Sequence, residues 1–369
     1  MRRLRPYLFL VTTVWRLGLA NSQNVSTDTS PLSYESPWNE HLSKRIFPFP
    51  NENTPGAYAQ WMATEATKAT THRLRDANDP DFEDYPVDIG STSAVHVFGR
   101  EVLTASVTGL SGCTSVIVVS KRGVYISHLF EVPSFKAEKD DQGRVITEES
   151  FDKDVKHDLI KGGTSKDPHT GKLLMTGLAG LRSLGLPFHE KTADGDENPV
   201  WIFIVTPRNY RRTFEDHGPP RPMQQPNDLE YSDKVEWIYR TMVDLFPAKK
   251  GCKIIQYERR LPQELDDPND PRRAAYGKIL FQYDPYAKDV TVSERRDENG
   301  RPCKVQAAEI RLWFMESPNP AKANWAAELD QRTFGKQTVF PRRWLWGRGQ
   351  KKKDVCDMTG KIFEEVGFD

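Results

Sequence analysis

Two side chains in this sequence could do covalent chemistry together, a cysteine and a histidine fifteen positions apart, Cys113 and His128. A cysteine attacks an acyl carbon only as the thiolate, and a nearby imidazole is the usual base that forms the thiolate near neutral pH. The two groups must come within hydrogen-bond reach, about 3–4 Å in a resting enzyme. The pair therefore predicts nucleophilic acyl chemistry wherever the fold brings the two side chains together.

The segment around the pair has the sequence pattern of a β-hairpin. A β-branched run covers residues 114–120, a tight turn follows at 121–123, and a second apolar run at 124–130 carries His128. Two-residue turns are the commonest connection in hairpins. We therefore expect an antiparallel hairpin with Cys113 just before its first strand.

The register of this hairpin decides whether the two side chains share a face. A two-residue turn at Lys121-Arg122 pairs His128 with Ser115, which puts Cys113 on the face of the imidazole with the two Cβ atoms about 7 Å apart. A two-residue turn one position later also keeps both on one face. A three-residue turn would move His128 to the opposite face, because a shift of one residue reverses every side chain.

The residues beside Cys113 suit a nucleophile that is presented on a turn. Leu110, Ser111 and Gly112 precede it, and the glycine permits close approach of an acyl group to the backbone. Backbone amides near Cys113 and Thr114 are expected to stabilise an oxyanion. The same residues also fit an ordinary strand entry with a buried free cysteine and a core histidine.

Length and composition indicate a large domain with polar extensions. The chain has 369 residues, of which 37% are hydrophobic and 28% charged, with a mean hydropathy of −0.66. We expect a signal peptide at 1–20, a polar, largely disordered leader at 21–84 with a possible helix over 57–74, a core domain at 85–317, and a polar tail rich in basic residues and Trp at 318–369.

The first twenty residues follow the order of a secretory signal peptide. A basic start leads into the apolar run 7–15 and a small-residue end at 18–20. This predicts a secreted protein, with a glycosylation sequon at Asn24 just after the cleavage site. Cleavage would leave 48 basic against 52 acidic residues, which argues against nucleic acid as a partner. No run approaches the roughly 20 apolar residues of a spanning helix, so we expect no stable membrane insertion.

The four cysteines do not form a CxxC motif, so no cysteine-based zinc site is expected. If Cys113 stays free, three thiols remain for at most one disulfide. Cys252 and Cys303 both adjoin predicted strands and are the favoured pair, although sequence does not settle the connectivity.

Periodicity predicts an α+β or α/β domain with a mixed sheet, or with two sheets packed together. The run 200–205 is typical of a strand buried on both faces, and the run 307–314 alternates as a half-buried strand does. The predicted strands cover 94–98, 102–107, 114–120, 124–130, 200–205, 252–257, 278–283 and 307–314, and the predicted helices lie within 150–162, 173–186 and 232–246.

The sequence Leu110-Ser111-Gly112-Cys113, with His128 downstream, resembles the catalytic domain of the cytotoxic necrotizing factor family. Those toxins deamidate glutamine in Rho-type GTPases. The same Leu-x-Gly-Cys turn marks related bacterial deamidases, including the chemotaxis receptor deamidases. The broader superfamily includes the YfiH-like putative cysteine hydrolases, and the region also looks like secreted fungal proteins of that fold.

This resemblance implies Cys113 as the nucleophile, His128 as the base, and a main-chain carbonyl, expected at Val95, that orients the imidazole. It also implies an α+β fold with a mixed β-sandwich core surrounded by helices and long loops. The expected activity is a cysteine-dependent protein glutamine deamidase or transglutaminase without a metal or organic cofactor. The expected substrate is a glutamine-bearing protein, for which a small GTPase is one candidate. The chain lacks anything resembling the toxins' receptor-binding and translocation regions.

Two other functions fit the same residues. The first is a catalytically inactive, secreted binding or effector module on a hydrolase-like scaffold, which a disulfide at Cys113 or an oppositely facing His128 would favour. The second is a hydrolase of small amides or nucleosides, as in other members of the broader fold group.

Overall fold

The computed structural model describes residues 57–69, 73–74, 91–167, 171–183, 185–191, 197–209, 229–259, 272–296, 300–315, 320–326 and 362–366. All of these residues belong to one compact unit, Ser43–Asp369. The expected signal peptide, the sequon at Asn24 and the basic, Trp-containing segment of the tail lie outside the described residues.

Strands provide most of the regular structure in the described ranges. They are β1 (Arg73–Leu74), β2 (Ser91–Val97), β3 (Leu103–Val107), β4 (Ser115–Ser120), β5 (Gly123–Leu129), β6 (Glu138–Lys139), β7 (Val145–Thr147), β8 (Val200–Pro207), β9 (Gly251–Tyr257), β10 (Ile279–Arg296), β11 (Pro302–Phe314), β12 (Ala321–Ala326) and β13 (Ile362–Val366). The α-helices are α1 (Ala57–Lys68), α2 (Asp158–Lys161), α3 (Ser232–Leu245) and α4 (Arg272–Ala275). π-helical turns cover Glu131–Phe135 and Phe151–His157, and a 3₁₀ turn covers Ala179–Arg182.

The strands form two mixed sheets and one small hairpin. The six-stranded sheet has the order β1-β3-β10-β11-β12-β13, with β1 parallel to β3 and the other pairs antiparallel. The five-stranded sheet has the order β2-β5-β4-β8-β9, with only β8 and β9 parallel. Strands β6 and β7 pair with each other. The α+β class with mixed sheets is confirmed.

The two sheets pack face to face, with helices on their outer faces. Side chains of β4, β5 and β8 meet side chains of β3, β10 and β11 in a core between the sheets. The opposite face of the five-stranded sheet packs on α2, α3 and the turn Phe151–His157. Helix α1 covers the outer face of the six-stranded sheet through Met62, which lies near Leu280 and Trp313. The result is a four-layer arrangement with helix, sheet, sheet and helix in order.

Strand β8 confirms the expectation of a strand buried on both faces. All of its residues are buried. Trp201, Phe203 and Val205 face the core between the sheets, while Ile202 and Ile204 face the helices. Continuous apolar sequence is needed here because neither face of the strand meets water.

The hairpin of β4 and β5 has the register that places Cys113 and His128 on one face. Ser120 pairs with Gly123, so the turn contains two residues, as expected. Beyond the regular ladder, Thr114 pairs with Leu129 in the same register. Every residue of both strands is buried, because the hairpin lies inside the five-stranded sheet with β2 on one side and β8 on the other.

The ordered core extends past the expected domain limits of 85 and 317. Helix α1 packs on the six-stranded sheet, although it ends at Lys68 rather than at residue 74. Strands β12 and β13 add two strands to the sheet within the segment expected to be a polar tail. Neither strand was predicted from periodicity.

The helix expected over residues 173–186 is wrong. The described part of that stretch contains only the short 3₁₀ turn Ala179–Arg182. A Cβ atom on Gly177 would overlap the backbone of Lys161 and Gly162, so the glycine serves a close crossing of two chain segments. Gly185 adopts a φ of +86°, which also stops a helix.

The expected disulfide between Cys252 and Cys303 is also wrong, because the Cys252 thiol is free. The topology explains this result. Cys252 lies in β9 and packs toward the helices, whereas Cys303 lies in β11 of the other sheet. No helix in the described part of the chain is long and apolar enough to cross a membrane.

Candidate active site

The turn that carries Cys113 is anchored by the core and by a tyrosine. Leu110 is fully buried between the sheets, and its N–H donates to the carbonyl of Gly277 over 3.0 Å. The Gly112 N–H donates to the Tyr257 hydroxyl over 2.8 Å, and that hydroxyl donates to the Cys113 carbonyl over 2.7 Å. The last residue of β9 therefore fixes the backbone on both sides of the Gly112–Cys113 peptide bond.

The backbone amides of the turn differ in their availability to an oxyanion. The Ser111 N–H donates to the Gly109 carbonyl over 2.8 Å, and the Thr114 N–H donates to the Leu129 carbonyl over 2.9 Å. The amides of Leu110 and Gly112 are bonded to Gly277 and Tyr257. Of the five backbone amides from 110 to 114, that of Cys113 therefore makes no hydrogen bond to a described residue. Of the amides near Cys113 and Thr114 that are expected to stabilise an oxyanion, that of Cys113 is therefore available, whereas that of Thr114 is bonded within the hairpin; Leu110, Ser111 and Gly112 form the turn that presents the thiol.

His128 lies inside the five-stranded sheet, and neither of its ring nitrogens has a hydrogen bond to a residue that the structure describes. It pairs with Thr92 of β2, whose Oγ1 is likewise buried and unpartnered. Burial lowers the pKa of His128 to about 3. Three buried polar atoms without partners therefore lie together on the sheet face that Cys113 also occupies.

Phe130 lies against both His128 and Cys113. Its ring centroid lies 4.6 Å from that of His128, and the Cys113 side chain packs against the small cluster that Phe130 forms with Leu174. The thiol and the imidazole are nevertheless not hydrogen-bonded, because neither nitrogen has a partner. The structure thus places both side chains against Phe130, without a hydrogen bond between them.

The carbonyl expected at Val95 does not orient His128 in this structure. Val95 pairs with Tyr125, three positions along the ladder from the pair of Thr92 and His128. Its side chain packs toward the helices rather than toward the other sheet.

The Cys113 thiol is free, half-buried and protonated at neutral pH. Burial raises its pKa to about 11, and the backbone amide of Glu131 opposes that shift. The Glu131 carboxylate raises the pKa further, while the amide of Ser111 and the charge of Arg259 lower it. Among the described residues, the charged groups that shift the pKa of the thiol are therefore those of Glu131 and Arg259.

Glu131 organises a cluster of polar groups beside the thiol. Its Oε1 accepts a hydrogen bond from the Tyr231 hydroxyl, lies 2.5 Å from the Nη1 of Arg259, and lies 3.0 Å from the Nζ of Lys136. A Cβ atom on Gly112 would overlap the Glu131 carboxylate, and the φ of Gly112 is +113°. Only glycine therefore fits the turn and the carboxylate together.

Sequence reasoning did not identify Glu131, Tyr231, Tyr257 or Arg259. Glu131 follows His128 by three residues, yet its partners Tyr231 and Arg259 lie 100 and 128 positions further along the chain. No motif marks such distant contacts. The tyrosine and arginine near the end of β9 could have been noticed only as polar residues that follow an apolar strand.

The described residues contain no group of three or more His, Cys, Asp or Glu side chains that could hold a metal ion. No protein-family model, curated protein or solved structure matches the chain.

Proposed function

We propose that the protein is a cysteine-dependent amidohydrolase that acts on carboxamides, with a glutamine side chain in a protein as the favoured substrate. The observation that carries this proposal is a group of buried polar atoms, His128 Nδ1 and Nε2 with Thr92 Oγ1, on the face that Cys113 shares; none of them has a hydrogen bond to a described residue. Buried polar groups are nearly always hydrogen-bonded. Several buried polar groups without hydrogen bonds in one place therefore favour a site where they bond to substrate or solvent.

In the proposed reaction, His128 takes the proton of the Cys113 thiol, and the thiolate adds to the carboxamide carbon. The amide N–H of Cys113 stabilises the resulting oxyanion. Collapse breaks the C–N bond, and ammonia leaves with the proton that His128 had taken. Water then gives its proton to His128 and adds to the thioester, which releases the carboxylic acid and returns the proton to the thiol.

Proton transfer requires the thiol and imidazole to approach each other after substrate binds. The resting pair is neutral, because burial raises the pKa of Cys113 and lowers the pKa of His128. Resting enzymes often have long catalytic hydrogen bonds that shorten in the substrate complex. An amine in place of water would give transamidation at the same site.

The test is mass spectrometry of a panel of glutamine-containing proteins, including small GTPases, after incubation with the enzyme. We expect a gain of about 1 Da per modified glutamine with wild type, because NH₂ is replaced by OH, and loss of this gain with Cys113→Ser and with His128→Ala. An equal gain with all three proteins, or none with wild type across the panel, would overturn the proposal.

Two matched variants control for indirect effects. Cys252→Ser removes a second free thiol, whose pKa burial also raises to about 11. His96→Ala removes a second buried histidine of the same sheet, which pairs with Val124 and so lies four positions along β2 from Thr92. Both variants are expected to keep deamidating.

The protonated thiol also favours a second function, an inactive binding or effector module on the same scaffold. In that case Cys113 and His128 are ordinary core residues, and Cys113→Ser would leave partner binding intact. Secretion, glycosylation at Asn24 and hydrolysis of small amides or nucleosides remain predictions.

A further inference from the structure

The two oxygens of the Glu131 carboxylate have unequal surroundings. Oε1 receives the Tyr231 hydroxyl, the Arg259 guanidinium and the Lys136 ammonium. Oε2 makes no hydrogen bond with any residue in the described ranges. A carboxylate oxygen has two acceptor sites, so Oε2 keeps its full capacity to accept.

Two hydrogen bonds and one ion pair on Oε1 restrain the direction of Oε2. The Glu131 side chain retains only 11% of its exposure, and its carboxylate lies directly against Gly112 in the turn that presents the thiol. The Glu131 main chain is close enough to Cys113 for its amide to affect the thiol. A restrained acceptor therefore lies beside the turn that presents the Cys113 thiol.

We propose that Glu131 is a specificity-determining residue whose Oε2 accepts a hydrogen bond from the NH₂ group of the substrate carboxamide. This inference rests on the proposed amidohydrolase function. The Cys113 N–H would donate to the carboxamide oxygen, and Glu131 Oε2 would accept from the carboxamide NH₂. The site would therefore bind both the oxygen and the nitrogen of the amide group.

The chemistry of competing groups explains what this contact selects. An ester of the same acyl chain has no N–H to donate and loses the contact. A carboxylate brings a negative charge next to Glu131, which disfavours rebinding of the product. A carboxamide satisfies the acceptor, and a hydrogen bond to a charged group is among the stronger kinds.

The experiment compares two substrates that share one acyl group. Peptides carry either glutamine or the γ-methyl ester of glutamate at the same position, and kcat/KM is measured for each with wild type, Glu131→Gln and Glu131→Asp. For both variants we expect a loss of about 10- to 100-fold on the glutamine peptide and less than about 3-fold on the ester. Cys113→Ser is expected to lose both activities.

Glu131→Asp keeps the charge and its cationic partners while it withdraws the carboxylate, so it serves if Glu131→Gln does not fold. Thermal unfolding of each variant shows whether it is folded. Equal losses on glutamine and ester peptides in a folded variant would overturn the role of Glu131 and leave the amidohydrolase intact. Failure of wild type to hydrolyse either peptide would overturn both proposals.

Discussion

At the scale of single residues, the charges beside Cys113 have opposite effects on its reactivity. The Glu131 carboxylate stabilises the protonated thiol, whereas the Arg259 guanidinium stabilises the thiolate. Residue type, spacing and the Leu-Ser-Gly-Cys motif mark Cys113 and His128 as candidates. The sequence could not identify Glu131 and Arg259, because their influence depends on contacts between residues 128 positions apart.

Substitution of these two residues should shift the pKa of Cys113 in opposite directions. Glu131→Gln removes a nearby negative charge, so we expect a lower thiol pKa and faster alkylation by iodoacetamide at pH 8. Arg259→Met removes a positive charge, so alkylation should become slower. Peptide-resolved mass spectrometry measures the rate at Cys113, and Cys252 in the same samples serves as the control. Changes in the same direction for both variants would contradict this account.

His128 should make the free energy of unfolding depend on pH. Its folded pKa of about 3 lies below the value of 6.5 for the unfolded chain, so the unfolded state binds more protons between those values. Its contribution is therefore fully present above pH 6.5 and is lost as the pH falls toward 3. The slope from this single group approaches about 1.4 kcal/mol per pH unit.

The measurement is urea unfolding of wild type and His128→Phe from pH 7 to pH 4. Phenylalanine preserves an aromatic ring against Phe130 but does not titrate. We expect the difference in unfolding free energy between the two proteins to change steadily over this range. A constant difference would show that the imidazole is not held neutral by the fold.

At the scale of elements, the turn before β4 depends on β9 and on the segment that follows β5. Tyr257 bonds both sides of the Gly112–Cys113 peptide, and Glu131 occupies the space above Gly112. The hairpin itself was predictable, because turn residues and β-branched runs specify it locally. The hydrogen bonds from Tyr257 to the turn were not predictable. Tyr257 comes near the turn because β9 pairs in parallel with β8, and β8 pairs with β4, a strand order that local sequence does not specify.

Gly112→Ala should lower the free energy of unfolding and expose the turn that carries Cys113 to solvent. The positive φ alone costs about 1–3 kcal/mol for a residue with a Cβ, and the overlap with Glu131 adds to this cost. Gly99→Ala is the control, because no atom lies within 4 Å of the added Cβ and the backbone is unstrained. Thermal or urea unfolding of both variants distinguishes them, and equal stability would mean that the turn adopts another conformation.

Tyr257→Phe should loosen the turn while leaving the core filled. Removing the hydroxyl leaves a buried N–H without an acceptor, which costs about 1–3 kcal/mol. Tyr283→Phe, which removes a hydroxyl bonded to the Gly99 carbonyl, is the matched control. Both variants should lose stability, but only Tyr257→Phe should change the alkylation rate of Cys113.

At the scale of the whole molecule, four layers isolate the hairpin from solvent. The core between the sheets was anticipated in outline, because strands such as β8 are apolar on both faces. The packing of α1 and β12 on this core was not anticipated, because α1 has few large apolar residues and β12 is rich in small residues. Helix α1 contributes through a few large contacts, chiefly between Met62, Trp61 and Trp313.

Met62→Ala should therefore cost about 2–5 kcal/mol of unfolding free energy, the usual range for a fully buried large side chain. Gln60→Ala, at an exposed position of the same helix, should change stability by less than about 0.5 kcal/mol. Urea unfolding checks both values. A small effect of Met62→Ala would mean that α1 is docked only loosely on the sheet.

The position of β5 between two partner strands determines whether Cys113 or His128 could move toward the other. His128 sits on a strand that is bonded along both edges, so a shift of its backbone would break ladders to β2 and β4. Cys113 follows Gly109 and Gly112, both with positive φ, and its turn is retained by individual hydrogen bonds. If the two side chains approach each other when substrate binds, as the proposed mechanism requires, Cys113 would therefore move toward a fixed His128, and the hydrogen bonds of the Tyr257 hydroxyl would restrain that movement.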